Sequence, residues 1–259
     1  MTISARTAGY APVNGIEMYH EEHGVEGAVP PLVLLHGGAQ TIDLSFGALL
    51  PALAAHRRVI GVELQGHGHT ADTDREMSLE VFADDVIALL DHLDVDRADL
   101  LGYSLGGLTA LRAAVRAPER VNRLALLATH YRHDGYFPEI AAPEQTSPRL
   151  PTEADFKAMV EAYARVAPDP TAFEATLAKL QPVAHGFTEW TDDELRAIAA
   201  PTLLVIGDTD FIRVEHAARM HELIPSSRLA VLPDTTHMGV PGRTDLLLPI
   251  LDAFLPVRT

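Results

Sequence analysis

A serine between two glycines is the first residue of this chain whose type and setting suggest chemistry. The segment Gly102-Tyr103-Ser104-Leu105-Gly106 follows a short apolar run and precedes a helical pattern. In such a strand–turn–helix the serine occupies a sharp turn, and the glycines let the backbone pass closely beside it. The hydroxyl projects freely, and the helix N-terminus favours negative charge that develops near it. The pattern predicts that Ser104 is a nucleophile.

A serine hydroxyl needs a base, and the base needs a carboxylate that orients it. Two later turns supply these groups, each directly after an apolar run. The first is Gly207-Asp208-Thr209-Asp210, and the second carries His237. A serine, an acid and a histidine therefore follow one another along the chain, which is one of the known orders of such a triad. Either aspartate could be the acid on this reasoning alone.

The elements that must position these residues alternate along the chain. Strands are predicted at 16–23, 32–35, 59–64, 98–103, 121–129, 202–206 and 229–232, and helices at 43–56, 78–93, 105–117, 214–224 and 245–255. This alternation predicts an α/β fold, with a mostly parallel central sheet and helices on both faces. Residues 131–199 show no convincing strand, so we expect a helical lid insertion there, with a core domain of residues 1–130 and 200–259. Capping boxes are expected at Thr152, Thr171 and Thr191.

At this point the chain resembles the α/β-hydrolase family, in its serine carboxylesterase-like branch, from about residue 16 to residue 255. The resemblance places the acid on Asp210 rather than Asp208, and the base on His237. It also assigns the oxyanion hole to the backbone N–H groups of Leu105 and Gly38, because His36-Gly37-Gly38 follows a buried strand. Ala39 replaces Gly38 if the loop is shifted by one residue. His36 itself is expected to hold the loop.

Two other patterns follow the strand at 59–64 and are disfavoured. Gly66-His67-Gly68-His69-Thr70-Ala71 fits a dinucleotide fingerprint, but no helical pattern opens directly after it. His67, His69 and Asp72 imitate a metal-hydrolase cluster, yet the acid lies one residue late and no histidine adjoins it. We therefore predict neither a metal nor a cofactor.

The composition limits the partners. Thirty-six acidic residues against 20 Lys and Arg leave a net charge of −16, and there is no cysteine. This balance argues against nucleic acid and against anionic membrane surfaces. No secretory signal or apolar run of membrane-spanning length is seen. We expect a cytoplasmic protein, a monomer or homodimer, that acts on a small-molecule substrate.

The expected insertion is rich in aromatic residues. Eight of the 15 in the chain lie between residues 131 and 190: Tyr131, Tyr136, Phe137, Phe156, Tyr163, Phe173, Phe187 and Trp190. They either build a small core or line an apolar pocket. As pocket walls we predict His130, Tyr131, Trp190 and Met238.

The predicted function is the hydrolysis of carboxylic esters of small or medium, partly apolar substrates through an acyl-enzyme, with no cofactor. A lactonase or a carbon–carbon bond hydrolase could use the same residues. A ligand receptor that retains the triad is the alternative from another class. Haloalkane dehalogenase and epoxide hydrolase chemistry is disfavoured, because family members with those activities carry an aspartate where Ser104 stands.

Overall fold

One sheet organises the residues described by the computed structural model, which are 7–27, 29–141 and 147–256. Its strand order is β1-β2-β4-β3-β5-β6-β7-β8. The strands are β1 Thr7–Val13, β2 Ile16–His23, β3 Leu32–Leu35, β4 Val59–Val62, β5 Ala98–Tyr103, β6 Val121–Leu127, β7 Thr202–Gly207 and β8 Ser227–Leu232. The pairs β1/β2 and β2/β4 are antiparallel, and the remaining pairs are parallel. The predicted mostly parallel sheet is confirmed.

Helices cover both faces of this sheet. They are α1 Ile42–Phe46, α2 Leu50–Leu53, α3 Leu79–His92, α4 Leu105–Arg116, α5 Pro138–Ala141, α6 Glu153–Val166, α7 Phe173–His185, α8 Asp192–Arg196, α9 Val214–Leu223 and α10 Thr244–Phe254. The single helix predicted at 43–56 was wrong, because the segment forms the two short helices α1 and α2. Gly47 ends α1, and Pro51, which lacks an N–H to donate, lies at the start of α2.

The central strands are buried on both faces, which explains their unbroken apolar runs. In β3, Val33 and Leu35 pack into a core with α3 and α4. Leu32 and Leu34 point to the opposite face and join a core with α2 and α10. Because side chains alternate along a strand, one four-residue run serves two cores at once.

Strand β1 was not predicted. It pairs with β2 over its whole length, and the turn Asn14-Gly15 has positive φ at both residues, 46° and 89°. An Asn-Gly pair is the strongest short-range signal of a two-residue hairpin, so this turn could have revealed the strand.

The described residues between β6 and β7 form α5 to α8 and connecting loops. Two of the predicted capping boxes are confirmed, at Thr152 with Asp155 and at Thr191 with Glu194. The third was wrong: the Thr171 hydroxyl donates to Asp169 instead, and α7 begins only at Phe173. That 131–199 is a lid inserted into a core of 1–130 and 200–259 stays a prediction.

Within the described ranges, no helix has both the length and the apolar character needed to cross a membrane.

Candidate active site

Ser104 lies at a strained turn between β5 and α4. Its φ is +52° and its ψ is −115°, a conformation that residues with a Cβ rarely adopt. A Cβ at Gly102 would overlap the Gly106 carbonyl, and a Cβ at Gly106 would overlap the Leu35 carbonyl. Only glycine therefore allows β5, α4 and β3 to approach this closely. The Gly106 N–H donates to the His36 carbonyl at 3.0 Å, which joins α4 to the loop after β3.

Three distant side chains meet at this turn in hydrogen-bonding order. The distance from Ser104 Oγ to His237 Nε2 is 2.9 Å, and His237 Nδ1 lies 2.9 Å from Asp210 Oδ1. Asp210 is fully buried and His237 almost so. The Nδ1–H therefore donates to the carboxylate, and Nε2 is left to accept the serine proton. The loops after β5, β7 and β8 bring these groups together at the carboxyl edge of the sheet, as expected for an open α/β sheet.

The structure places Asp210, and not Asp208, beside the histidine. Asp210 Oδ1 also accepts the Ile212 N–H at 2.9 Å, which orients the carboxylate. Asp208 accepts the Thr235 N–H at 3.1 Å, so it links the loop after β7 to the loop after β8. Hydrogen bonds from the Asp234 and Thr235 N–H groups lower the pKa of Asp208.

The His237 ring is held from one face by an aromatic neighbour. Phe211 stacks on it with ring centroids 3.9 Å apart and an interplanar angle of 22°. Phe211 was not predicted as a site residue, although it directly follows the acid in the sequence. Its position beside Asp210 was the available signal, because a rigid turn that carries the acid also delivers its neighbour to the imidazole.

The predicted oxyanion hole lies beside Ser104. A Cβ added to Gly38 would lie 3.7 Å from Leu105 Cβ, so the two backbones are adjacent. Within the described residues neither N–H donates to a protein acceptor. Ala39, the alternative donor, has a φ of +57° and belongs to the same turn.

His36 supports this loop, as expected. Its Nδ1–H donates to the Gly37 carbonyl at 2.8 Å, and its Nε2 accepts the Leu64 N–H at 3.1 Å. Complete burial and the neighbouring His67 lower the pKa of His36 to about 3. The neutral ring thus bridges the ends of β3 and β4.

A cavity of about 330 Å³ opens over Ser104. Its floor consists of the lining residues from the loops after β3, β5, β7 and β8 and the start of α4: Gly37, Gly38, Ala39, Gln40, Tyr103, Ser104, Leu105, Leu108, Phe211, Ile212, His237 and Met238. Its roof consists of the lining residues between β6 and β7: His130, Tyr136, Ile140, Leu150, Pro151, Phe156, Met159, Leu177, Leu180, Gln181 and Ala184. None of these residues is Asp, Glu, Lys or Arg.

Two of the four predicted pocket walls, His130 and Met238, line this cavity. Tyr131 and Trp190 do not, so those two predictions were wrong. Trp190 is 1% exposed and stacks under the Arg112 guanidinium at 4.0 Å. Tyr131 packs on His216, with ring centroids 4.6 Å apart. Both rings belong to the core cluster that also contains residues of β5, α3 and α4, and neither is among the residues that line the cavity over Ser104.

The disfavoured patterns after β4 have other roles in the structure. His69 Nδ1 lies 2.8 Å from Glu63, and Lys179 Nζ lies 2.8 Å from an Asp72 oxygen. His67 is buried and bonds to the Gln65 carbonyl at 3.0 Å. The next helix along the chain begins only at Leu79, so the glycine turn does not open directly into a helix as the dinucleotide fingerprint requires.

Comparison with known proteins defines the class. A family model described as alpha/beta hydrolase fold matches residues 30–241. The chain therefore belongs to the alpha/beta hydrolase family. A pimeloyl-[acyl-carrier protein] methyl ester esterase from Photobacterium profundum is 32% identical over 232 residues, covering 82% of this chain and 89% of that protein. A 2-hydroxy-6-oxo-2,4-heptadienoate hydrolase from Pseudomonas putida is 28% identical and covers 82% of this chain and 83% of that protein.

Another relative has a higher sequence identity, but over a shorter segment. The dihydrolipoyllysine-residue acetyltransferase component of an acetoin cleaving system from Pseudomonas putida is 44% identical over 120 residues, which span 46% of this chain and 32% of that protein.

Two solved structures share the fold. A meta-cleavage product hydrolase from Pseudomonas fluorescens superposes with a TM-score of 0.80 at 21% identity, covering 97% of both chains. An enol-lactonase from Burkholderia xenovorans superposes with a TM-score of 0.75 at 24% identity, covering 95% of this chain and 99% of that chain.

Proposed function

We propose that this protein is a serine hydrolase that cleaves carboxylic esters through an acyl-enzyme. The observation that carries the proposal is the pair of 2.9 Å hydrogen bonds that joins Ser104, His237 and Asp210 beneath an open apolar cavity. His237 Nε2 takes the proton as Ser104 Oγ attacks the ester carbonyl. Asp210 holds the imidazole tautomer and stabilises the imidazolium.

The backbone supplies the remaining group. The N–H groups of Gly38 and Leu105 donate to the oxyanion of the tetrahedral intermediate. As the intermediate collapses, His237 protonates the leaving alcohol, and Ser104 keeps the acyl group. A water molecule, deprotonated by His237, then attacks the acyl-enzyme and releases the acid. No cofactor takes part in these steps.

The cavity favours a substrate whose buried part is neutral. In the described part of the chain no Lys or Arg lines it, and the net charge of −16 repels anions. A carboxylate bound there would lose water without gaining a Lys or Arg as its charge partner. A heptadienoate, the substrate class in the name of one relative, carries such a carboxylate. This favours an ester or a lactone over a carbon–carbon bond hydrolase. The helices between β6 and β7 act as the lid of this site.

The test is a substrate panel of neutral p-nitrophenyl esters, lactones and ring-cleavage diketone acids, with wild type and Ser104→Ala in parallel. We expect ester turnover in the wild type and a loss of about 10⁴-fold or more in Ser104→Ala. Circular dichroism and melting temperature should match the wild type. Equal turnover by the purified variant would refute the proposal. Diketone acids as the best substrates would favour the carbon–carbon alternative, and binding without turnover would favour a receptor.

We further propose a small-molecule ester as the partner, with no nucleic acid or membrane partner, for a monomer or homodimer in the cytoplasm. The acidic composition and the absence of cysteine support this. Gel filtration with light scattering would measure the oligomeric state.

A further inference from the structure

The proposed mechanism depends on two loops from opposite sides of the floor. The loop after β3 carries the oxyanion donor Gly38, and the loop after β8 carries His237. Acyl transfer tolerates little error between a base and an oxyanion donor, since a misplacement of about 1 Å can cost a hundredfold in rate. Something must therefore hold the two loops in register.

A chain of buried hydrogen bonds starts at the first loop. The Gly37 N–H donates to Ser45 Oγ at 3.2 Å. Ser45 Oγ in turn donates to Gln40 Oε1 at 2.6 Å. Ser45 and Gln40 are both buried. Because a serine hydroxyl has one proton, the direction of both bonds is determined.

Tyr103 links the first loop to the second. The Tyr103 ring packs against the Gly37 backbone, and the Tyr103 hydroxyl donates its proton to the His237 carbonyl at 3.1 Å. Tyr103 is 1% exposed. A Cβ at Gly37 would lie 2.7 Å from the Tyr103 ring and 3.3 Å from Gln40 Cδ, so this glycine permits the close packing.

We propose that Ser45, Gln40 and Tyr103 form a positioning network that holds the oxyanion loop and the His237 loop in register. The inference rests on the proposed function. These residues do not react with substrate; they act through the backbones of Gly37 and His237. The Ser45 and Tyr103 hydroxyls each hold one of these backbones through a buried hydrogen bond. Removing one hydroxyl from this network allows the two loops to shift relative to each other, while the residues that line the cavity remain.

The experiment measures kcat and KM for a neutral p-nitrophenyl ester with Tyr103→Phe, Ser45→Ala and the double variant. We expect each single variant to lower kcat about tenfold with KM unchanged. The double variant should be no slower than the slower single variant, because Ser45 and Tyr103 both fix the same Gly37 backbone. The rate of inactivation by an organophosphate that forms a tetrahedral adduct on Ser104 should fall in parallel with kcat.

The matched controls are Tyr19→Phe and Ser227→Ala. Tyr19 stacks on His69 with ring centroids 4.0 Å apart, and the Ser227 hydroxyl donates to the Ile224 carbonyl at 2.8 Å. Neither residue is among those that line the cavity, and each variant should retain wild-type kcat. Melting temperatures are recorded for all variants, and Ser45→Ala tests the idea alone if Tyr103→Phe does not fold. Unchanged kcat, a rise in KM alone, or multiplying effects in the double variant would overturn the network. If the wild type itself turns over no ester and forms no organophosphate adduct, the proposed function fails instead.

Discussion

The floor and the roof of the cavity are built on different principles. The floor consists of turns at strand ends, where glycines, a strained serine and short hydrogen bonds leave each backbone one conformation. The roof consists largely of apolar side chains, from α6 and α7 among others, that meet the cavity through packing alone. Under the proposed function, the bond-breaking chemistry depends on the floor. The roof decides which substrate reaches the floor.

The sharpest test of the floor compares its two aspartates. In Asp210→Asn the amide no longer selects the Nδ1–H tautomer, so kcat for a p-nitrophenyl ester should fall about 10⁴-fold. Asp208→Asn is the matched control, because Asp208 bonds to the Thr235 N–H and not to the imidazole. It should keep kcat within about twofold, since it leaves the reacting groups in place. A similar loss in both variants would contradict the assignment of the acid.

The roof should change selectivity without changing the chemistry. Leu177 lines the cavity and is partly exposed, so Leu177→Arg should raise kcat/KM for an ester with a terminal carboxylate about tenfold relative to a neutral ester of equal length. Ala175→Arg adds the same charge to the exposed part of the same helix. If Ala175→Arg gave the same gain, net charge rather than the roof would decide selectivity.

Acid should destabilise both regions through buried neutral histidines. Burial lowers the pKa of His36 to about 3 and that of His216 to about 4. The unfolded chain binds these protons below about pH 6.5, so unfolding takes up protons and stability falls as pH drops from there towards those values. Each histidine contributes at most about 1.4 kcal/mol per pH unit. Urea unfolding at several pH values measures the slope.

His216→Asn separates the two contributions. His216 Nε2 accepts the Tyr131 N–H under the roof, whereas His36 supports the floor. The variant should lose the part of the slope between about pH 6.5 and 4 that belongs to one proton. An unchanged slope would show that His216 takes up no proton on unfolding.

The smallest effect on activity is expected at Trp190, which was wrongly predicted to be a pocket wall. Trp190→Phe should lower the free energy of unfolding by about 1–2 kcal/mol, because it weakens the stacking with Arg112. The ratio of kcat/KM values for short and long esters should stay as in the wild type. A changed ratio would show that Trp190 lines the substrate pocket after all.

The sequence predictions were more successful for the floor of the cavity than for the aromatic residues between β6 and β7. Gly102, Ser104 and Gly106 could be interpreted from their spacing, because a turn this tight admits few residue types. Gly38 and Asp210 were assigned from the resemblance to the α/β-hydrolase family rather than from local sterics. Tyr131 and Trp190 were wrongly predicted to line the pocket. The sequence around an aromatic residue does not indicate whether its ring faces the cavity or the core. Phe211 was missed although it directly follows Asp210, because the stacking of its ring on the imidazole is decided by packing.

The amino-acid sequence by itself determined the strand–helix alternation, the nucleophile turn and the order of a serine, an acidic turn and a histidine along the chain. These features are local, since periodicity and backbone sterics act over a few residues. Only the tertiary structure decided that Asp210 and not Asp208 meets the imidazole, which rings line the cavity, and that Tyr103 contacts both the Gly37 and the His237 backbone. These outcomes depend on contacts between residues far apart in the chain, and such contacts exist only once the sheet has brought the strand ends to one edge.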